Sequence, residues 1–373
     1  MLYIHLADGT PIHAPDRSNT AVVTGTMSDE INMIPSLTFR MYPDNPAYNK
    51  IKNFKSWIYV ENLIWGKEEF YGRAISIEEG METNGEIYKE VVCEGYLGCM
   101  QDTIVTPIEW PDPPEGSTKT YMEVGALLKS VIDHHNETCG DGKEMIYGGA
   151  EYADAYVEQD QFTPYVSTWT CIADILENYG LYLHPTWNTT DDTMTLMFYD
   201  DDHFKHWYEG TITQIGKNLL SGSILKEQGE MCSRLWCYGA YTGSSSETLR
   251  SRVGIESVND GKGYLIDEDI ENTYGIINGI FIDNDEDTPA TILADGKKEF
   301  ARRNKTTMTI NLSAVDLFYC EENDIPLRVS YFYDVGILDT EETIQLRLEA
   351  KSTQIEAPYQ PSLTFSSATS GLK

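Results

Sequence analysis

The sequence predicts a β-rich α+β protein of several domains. Three observations carry this expectation. Short strand-like segments separated by turn residues fill the chain to about residue 106, as in a barrel or sandwich. Two amphipathic helical patterns follow a stretch rich in proline and acid. Strand patterns then return from about residue 206 and continue to the end. At about 100–200 residues per domain, the 373 residues make two to four domains.

The first strands are expected at 21–27, 36–41, 56–61, 64–70, 73–79 and 87–93. The run Leu37-Thr38-Phe39-Arg40-Met41 alternates apolar and polar side chains, the period of a half-buried strand. Tyr42-Pro43-Asp44-Asn45-Pro46 is a turn cluster. The stretch 106–116 holds Pro107, Pro111, Pro113 and Pro114; it lacks ladder donors there and reads as an extended connector. A helix is expected over 122–136, with Val124, Leu127, Leu128, Val131 and Ile132 on one face. A second is expected over 168–179, with Trp169, Ile172, Ile175, Leu176 and Tyr179 inward and Gly180 at the C′ position. Strands 181–186 and 193–199 follow, then 211–215, 222–226 and 234–241. Thr288 and Pro289 open a third helix as N-cap and first residue, with Arg302 and Arg303 near its end. The closing strands are 307–313, 328–333, 344–354 and 362–366.

The formal net charge is −33, which repels phosphate backbones and argues against sequence-specific nucleic-acid binding. No apolar run reaches the about 18 residues of a membrane span. The opening MLYIHLADGT has neither a basic nor an apolar region of a secretory signal. Seven scattered cysteines fit reduced thiols in a protein made in the cytoplasm.

Residues 90–105, EVVCEGYLGCMQDTIV, raise the question of a site. Cys93 and Cys99 have five residues between them, where zinc pairs use about two to four, and no second pair matches. They read as structural thiols, as do Cys232 and Cys237. The run from Gly210 to Asn218 resembles a phosphate loop but fails twice. Five residues separate Gly210 from Gly216, and Asn218 stands where Ser or Thr would hold magnesium. Asp200, Asp201, Asp202, His203 and His206 could offer ligands to a divalent ion, but such a run also forms a solvated turn. His134 and His135 end an amphipathic helix, where the dipole favours a cationic imidazole. There is no nucleophile elbow and no His-Glu-x-x-His pair. With 60 acids, no carboxylate pair can be singled out. The expectation is no cofactor, no metal and no catalytic residue.

Three ordered segments carry a family resemblance. The first is Cys93-Glu94-Gly95-Tyr96-Leu97-Gly98 with Asp102. The second is Gly216-Lys217-Asn218-Leu219 followed by Arg234 to Ala240 with Gly239. The third is 310–333, with the chain ending near Pro361-Ser362-Leu363. Together they resemble the prophage endopeptidase tail, or tail-associated lysin, proteins of phages, which are similar to the central baseplate hub of T-even contractile phages. The signature residues are Gly95, Tyr96, Leu97, Asp102, Gly216, Asn218, Leu219 and Gly239. The resemblance implies two small antiparallel, tube-forming β-barrels with two peripheral α+β domains. One barrel would be 1–106, and the other would be split between 207–242 and 305–366. The α+β domains would be 107–206 and an insertion at 243–304. Gly95 and Gly98 would then be needed by the backbone where the first barrel closes, with Tyr96 and Leu97 as packing anchors.

The function so implied is structural: a trimeric hub at the tail tip or baseplate of a phage or tail-like particle, made in the bacterial cytoplasm. Its partners would be a distal tail or tube ring protein, a spike, lytic or fibre component, and the tape-measure protein. DNA would pass through an acidic channel without specific binding, and the chain would not insert into a membrane. The lytic region of the family is expected to be absent, since the sequence stops soon after its last strand. The alternatives are a peptidoglycan hydrolase or endopeptidase acting through carboxylates in 107–206, and a carbohydrate-binding adhesin built on the 24 tyrosines and seven tryptophans.

Overall fold

The structure is a computed structural model and describes residues 2–14, 23–64, 66–115, 119–152, 155–188, 193–200, 203, 208–213, 219–227, 230–242, 251–284, 286–304, 307–320, 327–336 and 343–366. The N-terminal strands are β1 (Leu2–Leu6), β2 (Pro11–His13), β3 (Thr24–Glu30), β4 (Ser36–Met41), β5 (Trp57–Asn62), β6 (Lys67–Met81) and β7 (Ile87–Gly95). The middle of the chain forms β8 (Tyr121–Glu123), α1 (Val124–Thr138), β9 (Met145–Glu151), β10 (Tyr156–Glu158), α2 (Thr168–Tyr179), β11 (Tyr182–Asn188) and β12 (Thr193–Tyr199). Then come β13 (Tyr208–Thr213), β14 (Leu219–Glu227), β15 (Arg234–Thr242), β16 (Ser251–Gly254), β17 (Tyr264–Ile266), α3 (Glu268–Tyr274), β18 (Asn278–Ile282) and α4 (Pro289–Arg303). The last strands are β19 (Thr307–Ala314), β20 (Phe332–Gly336), β21 (Thr343–Gln354) and β22 (Ser362–Ser366).

Two compact units result: 1–223 with 310–368, and 224–309 with 369–373. The first is built on a thirteen-stranded sheet in the order β14-β19-β22-β21-β3-β4-β7-β6-β5-β1-β2, with β20 bridging β21 and β13. From β22 to β2 every neighbouring pair is antiparallel. Strands expected in both barrels thus lie in one sheet. Its two parts meet where β3 pairs with β21, Asp29 opposite Lys351 and Met27 opposite Thr353.

The local readings hold where periodicity is strong. Leu37, Phe39 and Met41 of β4 are buried, and the residues between them are not. Helix α1 buries Val124, Leu127, Leu128, Val131 and Ile132. Helix α2 starts at Ser167, whose hydroxyl accepts from the Thr170 amide at 3.1 Å. It ends at Gly180 in the left-handed conformation, φ 61°. Both helices cover a three-stranded sheet, β11-β12-β9, to make an α+β lobe with its own core. The proline-rich stretch runs along this lobe, where Ile108 and Trp110 pack.

Other readings are corrected. Strands expected at 64–70 and 73–79 are one strand, β6, because Gly72 is tolerated in a hairpin whose partner β7 runs alongside it. The strands β1 and β2 were not expected; β1 alternates, and pairing to β5 buries its Leu2, Ile4 and Leu6. Thr288 stands at the N-cap of α4 but its side chain caps nothing.

The second unit is a four-stranded sheet centred on β15, which pairs with β16 and β17 antiparallel and with β18 in parallel. Helix α4 packs against β15. The strand pattern at 234–241, expected in the split barrel, lies in this sheet. Its core holds Cys232, Leu235, Cys237, Ile255, Leu265 and Ile292.

Candidate functional site: the seam between sheet and lobe

The stretch from Glu90 to Val105 is where the sheet of the first unit hands over to its lobe. Strand β7 ends at Gly95, and Tyr96–Gln101 turn as a 3-10 helix. Residues six apart therefore enter different interiors. Cys93 packs in the core of the sheet, while Tyr96, Leu97, Cys99 and Met100 pack in the core of the lobe. Both cysteines are free. Burial pushes the Cys93 thiol far up and the Cys99 thiol up to about 11, so neither is a nucleophile or a ready metal ligand.

The two acids of the stretch hold a buried cation that sequence reading missed. Arg73 on β6 stands directly opposite Glu94 on β7 and is only 3% exposed. Its Nε and Nη2 donate to Glu94 Oε1 at 2.8 and 2.6 Å. Its Nη1 and Nη2 donate to Asp102 Oδ2 and Oδ1 at 2.6 and 2.8 Å, a bidentate pair. Lys143, from the loop before β9, adds a second cation 2.8 Å from Asp102 Oδ2. Hydrogen bonds from Arg73 first, and from Lys143, hold Asp102 down to about 2. The only sequence hint was a lone arginine among the apolar and small residues of β6.

This clamp also sets the glycine requirement. A Cβ at Gly98 would lie 2.4 Å from the Glu94 carboxyl carbon, which the guanidinium holds in place. Gly95 is less tightly bound, with Pro35 at 3.2 Å from where a Cβ would sit. Tyr96, 2% exposed, donates to the Gly142 carbonyl at 3.0 Å. Its ring lies 5.7 Å from Trp57, 5.4 Å from Tyr71 and 4.9 Å from Trp187. Rings from β5, β6, β11 and the turn thus form one cluster across the seam, and Leu97 is buried in the same core.

Below the lobe this cluster borders a cavity of about 540 Å³, which Asp29, Glu69, Arg328 and Lys351 also line. All of its walls belong to the first unit.

The remaining predicted residues scatter. Gly216 and Asn218 lie outside the described residues, and Leu219 opens β14. Gly239 is in β15 of the second unit, where a Cβ would meet the Glu286 carbonyl oxygen at 2.3 Å and Ile292 at 2.4 Å. The described residues therefore bring together Gly95, Tyr96, Leu97 and Asp102, not the full signature. Asp201, Asp202 and His206 are also outside the described residues; Asp200 Oδ1 lies 2.6 Å from His203 Nδ1. Among the described residues no group of three or more His, Cys, Asp or Glu is placed to hold a metal. Nor is any helix among them long and apolar enough to cross a membrane.

His135 corrects the expectation of a cationic imidazole. It is fully buried, and desolvation pushes its pKa down. Its ring nitrogens lie 2.7 Å from the Thr103 hydroxyl and 3.0 Å from the Lys143 carbonyl, a bonding pattern that suits the neutral ring.

The fold is that of phage tail proteins. Residues 208–373 match the model of the prophage endopeptidase tail family, the family that the sequence resembles. The prophage tail protein gp18 of Listeria monocytogenes shares the fold with a TM-score of 0.53 at 11% identity, over 100% of this chain and 95% of that one. The 43 kDa tail protein of prophage MuSo2 from Shewanella oneidensis does so with a TM-score of 0.60 at 10% identity, over 99% of both chains. A type VI secretion component of E. coli, described as structurally similar to T4 bacteriophage tail proteins gp27 and gp5, gives 0.50 at 9% identity. It is covered over 77% of its length, against 99% of this chain. No curated protein sequence matches the chain.

Proposed function

We propose that this chain is the structural hub at the tail tip of a phage or phage tail-like particle. It assembles as a trimeric ring that joins the tail tube to a spike, lytic or fibre component. The observation that carries this reading is the tail-protein fold spanning 99% of the chain and 99% of a prophage tail protein of similar size. The long antiparallel sheet is consistent with it. In the proposed ring, 1–106 and the split segment 207–242 with 305–366, apart from the strand β15 that belongs to the second unit's sheet, are the tube-forming halves, and 107–206 and 243–304 lie outside them. Three copies then present six similar sheet faces around a lumen. Acidic side chains lining that lumen would keep DNA and the tape-measure protein from sticking.

Light scattering with electron microscopy of the purified chain, alone and with its neighbouring tail proteins, tests the reading. The expected result is a trimer that forms closed rings. A chain that stays monomeric at high concentration, and in the presence of those neighbours, overturns it. Turbidity clearance of purified peptidoglycan by this chain, lost on changing a single Glu or Asp in 107–206, would replace it with a hydrolase.

A further inference from the structure

Strand β18 is an edge of the second unit's sheet. Among the described residues it pairs with β15 alone. The Ile277 carbonyl accepts from the Ser233 and Arg234 amides at 2.9 and 3.0 Å, and the Asp283 amide donates to the Tyr238 carbonyl at 2.9 Å. Backbone groups alternate in direction along a strand, so residues 277, 279, 281 and 283 face β15. The amides and carbonyls of Asn278, Ile280 and Ile282 therefore point the other way, to the open edge.

The side chains of these three residues lie on the sheet face away from the core, which takes Ile277 and Phe281. Ile280 is 57% exposed and Ile282 46%. Register sets Trp236 beside Ile280 and Tyr238 beside Ile282. Tyr264 of β17 stands on the other side of Trp236, with ring centroids 4.9 Å apart. The apolar surface thus runs across three strands to the open edge. Proteins blunt such edges with lysine, proline or a bulge. Strand β18 has no lysine or proline, and its register with β15 runs without a shift.

Charge says what can pair there. Four acids precede β18 at 267–271 and four follow it at 283–287, and 263–296 holds no lysine or arginine. Arg234 of β15 meets one of them, Glu271, at 2.7 Å. Pairing two copies through β18 would bring acidic flank to acidic flank in either direction, and like charges across a ladder are destabilising.

We propose that the open edge of β18 takes an added strand from a partner protein. That strand is an extended segment free of proline, with apolar side chains beside Ile280 and Ile282 and lysine or arginine at its ends. Strand addition draws affinity from main-chain hydrogen bonds and register from the alternating side chains. The basic ends meet the acids of 267–271 and 283–287. The edge lies within the second unit and does not depend on the proposed ring.

The test uses the full chain labelled with ¹⁵N at isoleucine. The Ile280 and Ile282 amides report the open edge. The Ile277 amide, which donates to the Ser233 hydroxyl at 2.8 Å, is the internal control. A short peptide of alternating valine and threonine, with lysines at both ends, stands for the partner. At saturation it slows hydrogen exchange at Ile280 and Ile282 by about tenfold and leaves Ile277 unchanged. The same peptide with glutamates at its ends, or with proline at its centre, does not. Ile280→Pro removes an outward donor but no donor to β15, and it abolishes the peptide's protection of Ile282. Ile280→Lys keeps the backbone, adds a like charge and does the same. No slowing by the lysine-ended peptide overturns the proposal, as does equal slowing by the glutamate-ended one. Undiminished protection of Ile282 in either variant does so too. Slowing that grows with the concentration of the chain alone makes the occupant a second copy and also overturns it.

Discussion

Replacing Arg73 by methionine tests whether the seam is held by its buried clamp. Methionine keeps much of the apolar stem and removes four hydrogen bonds of 2.6–2.8 Å to two carboxylates. Glu94, whose side chain is 13% exposed, is then left without its cation. Asp102, at 35%, keeps Lys143. Breaking a buried ion pair from one side costs about 3–5 kcal/mol. The part carried by Asp102 follows from its pKa, about 2 in place of 3.8. That shift is worth roughly 2 kcal/mol, and we halve it to about 1 because the group is a third exposed. Glu94 supplies the rest, so the expected loss is about 3–4 kcal/mol. A carboxylate with a lowered folded pKa contributes stability above its unfolded value and loses it as pH falls through the folded one. The difference between parent and variant should therefore narrow between pH 3.8 and 2. Urea unfolding followed by hydrogen exchange reads this out, with peptides from 87–105 reporting the seam and peptides from 253–266 the second unit. Arg73→Lys, which keeps charge without the fork, should fall between. A methionine variant within about 1 kcal/mol of the parent, or equal losses in both units, would mean that the clamp does not hold the seam.

Asp29 gives the opposite pH dependence. Its folded pKa of about 6 exceeds the ordinary 3.8, so its contribution is complete below 3.8 and is lost as pH rises through 6. Asp29→Asn should stabilise the protein by up to about 3 kcal/mol at neutral pH and by little at pH 4, measured by thermal unfolding. A less stable variant at neutral pH would mean that the Lys351 attraction outweighs desolvation. Gly98→Ala should cost about 1–3 kcal/mol by pushing Glu94 off Arg73, and less in the Arg73→Met background, which a double-mutant cycle measures. Gly239→Ala should cost at least as much, because backbone stands in the way, and should loosen only the second unit in hydrogen exchange. Cys93 and Cys99 should react with thiol reagents only as the first unit unfolds; fast modification of the native chain would contradict their burial.

What repeats over a few residues was legible in the order of side chains. The buried face of α1, the left-handed Gly180 and the alternation in β4 all follow from side-chain period and backbone sterics. That residues 90–105 lie where a first barrel closes was an expectation of the family resemblance, not of the local pattern. What residues 90–105 hold became visible in the folded chain. Arg73 meets Glu94 through strand register and Asp102 through the turn beyond, and Lys143 arrives from another layer. The thirteen-stranded sheet was hidden for the same reason. Pairing β3 with β21 brings Asp29 opposite Lys351 across nearly the whole length of the chain. Local propensity carries no record of such a partner. It is chosen by which strands can close the sheet and bury its face, and the charges at the seam and in the cavity are set by that choice.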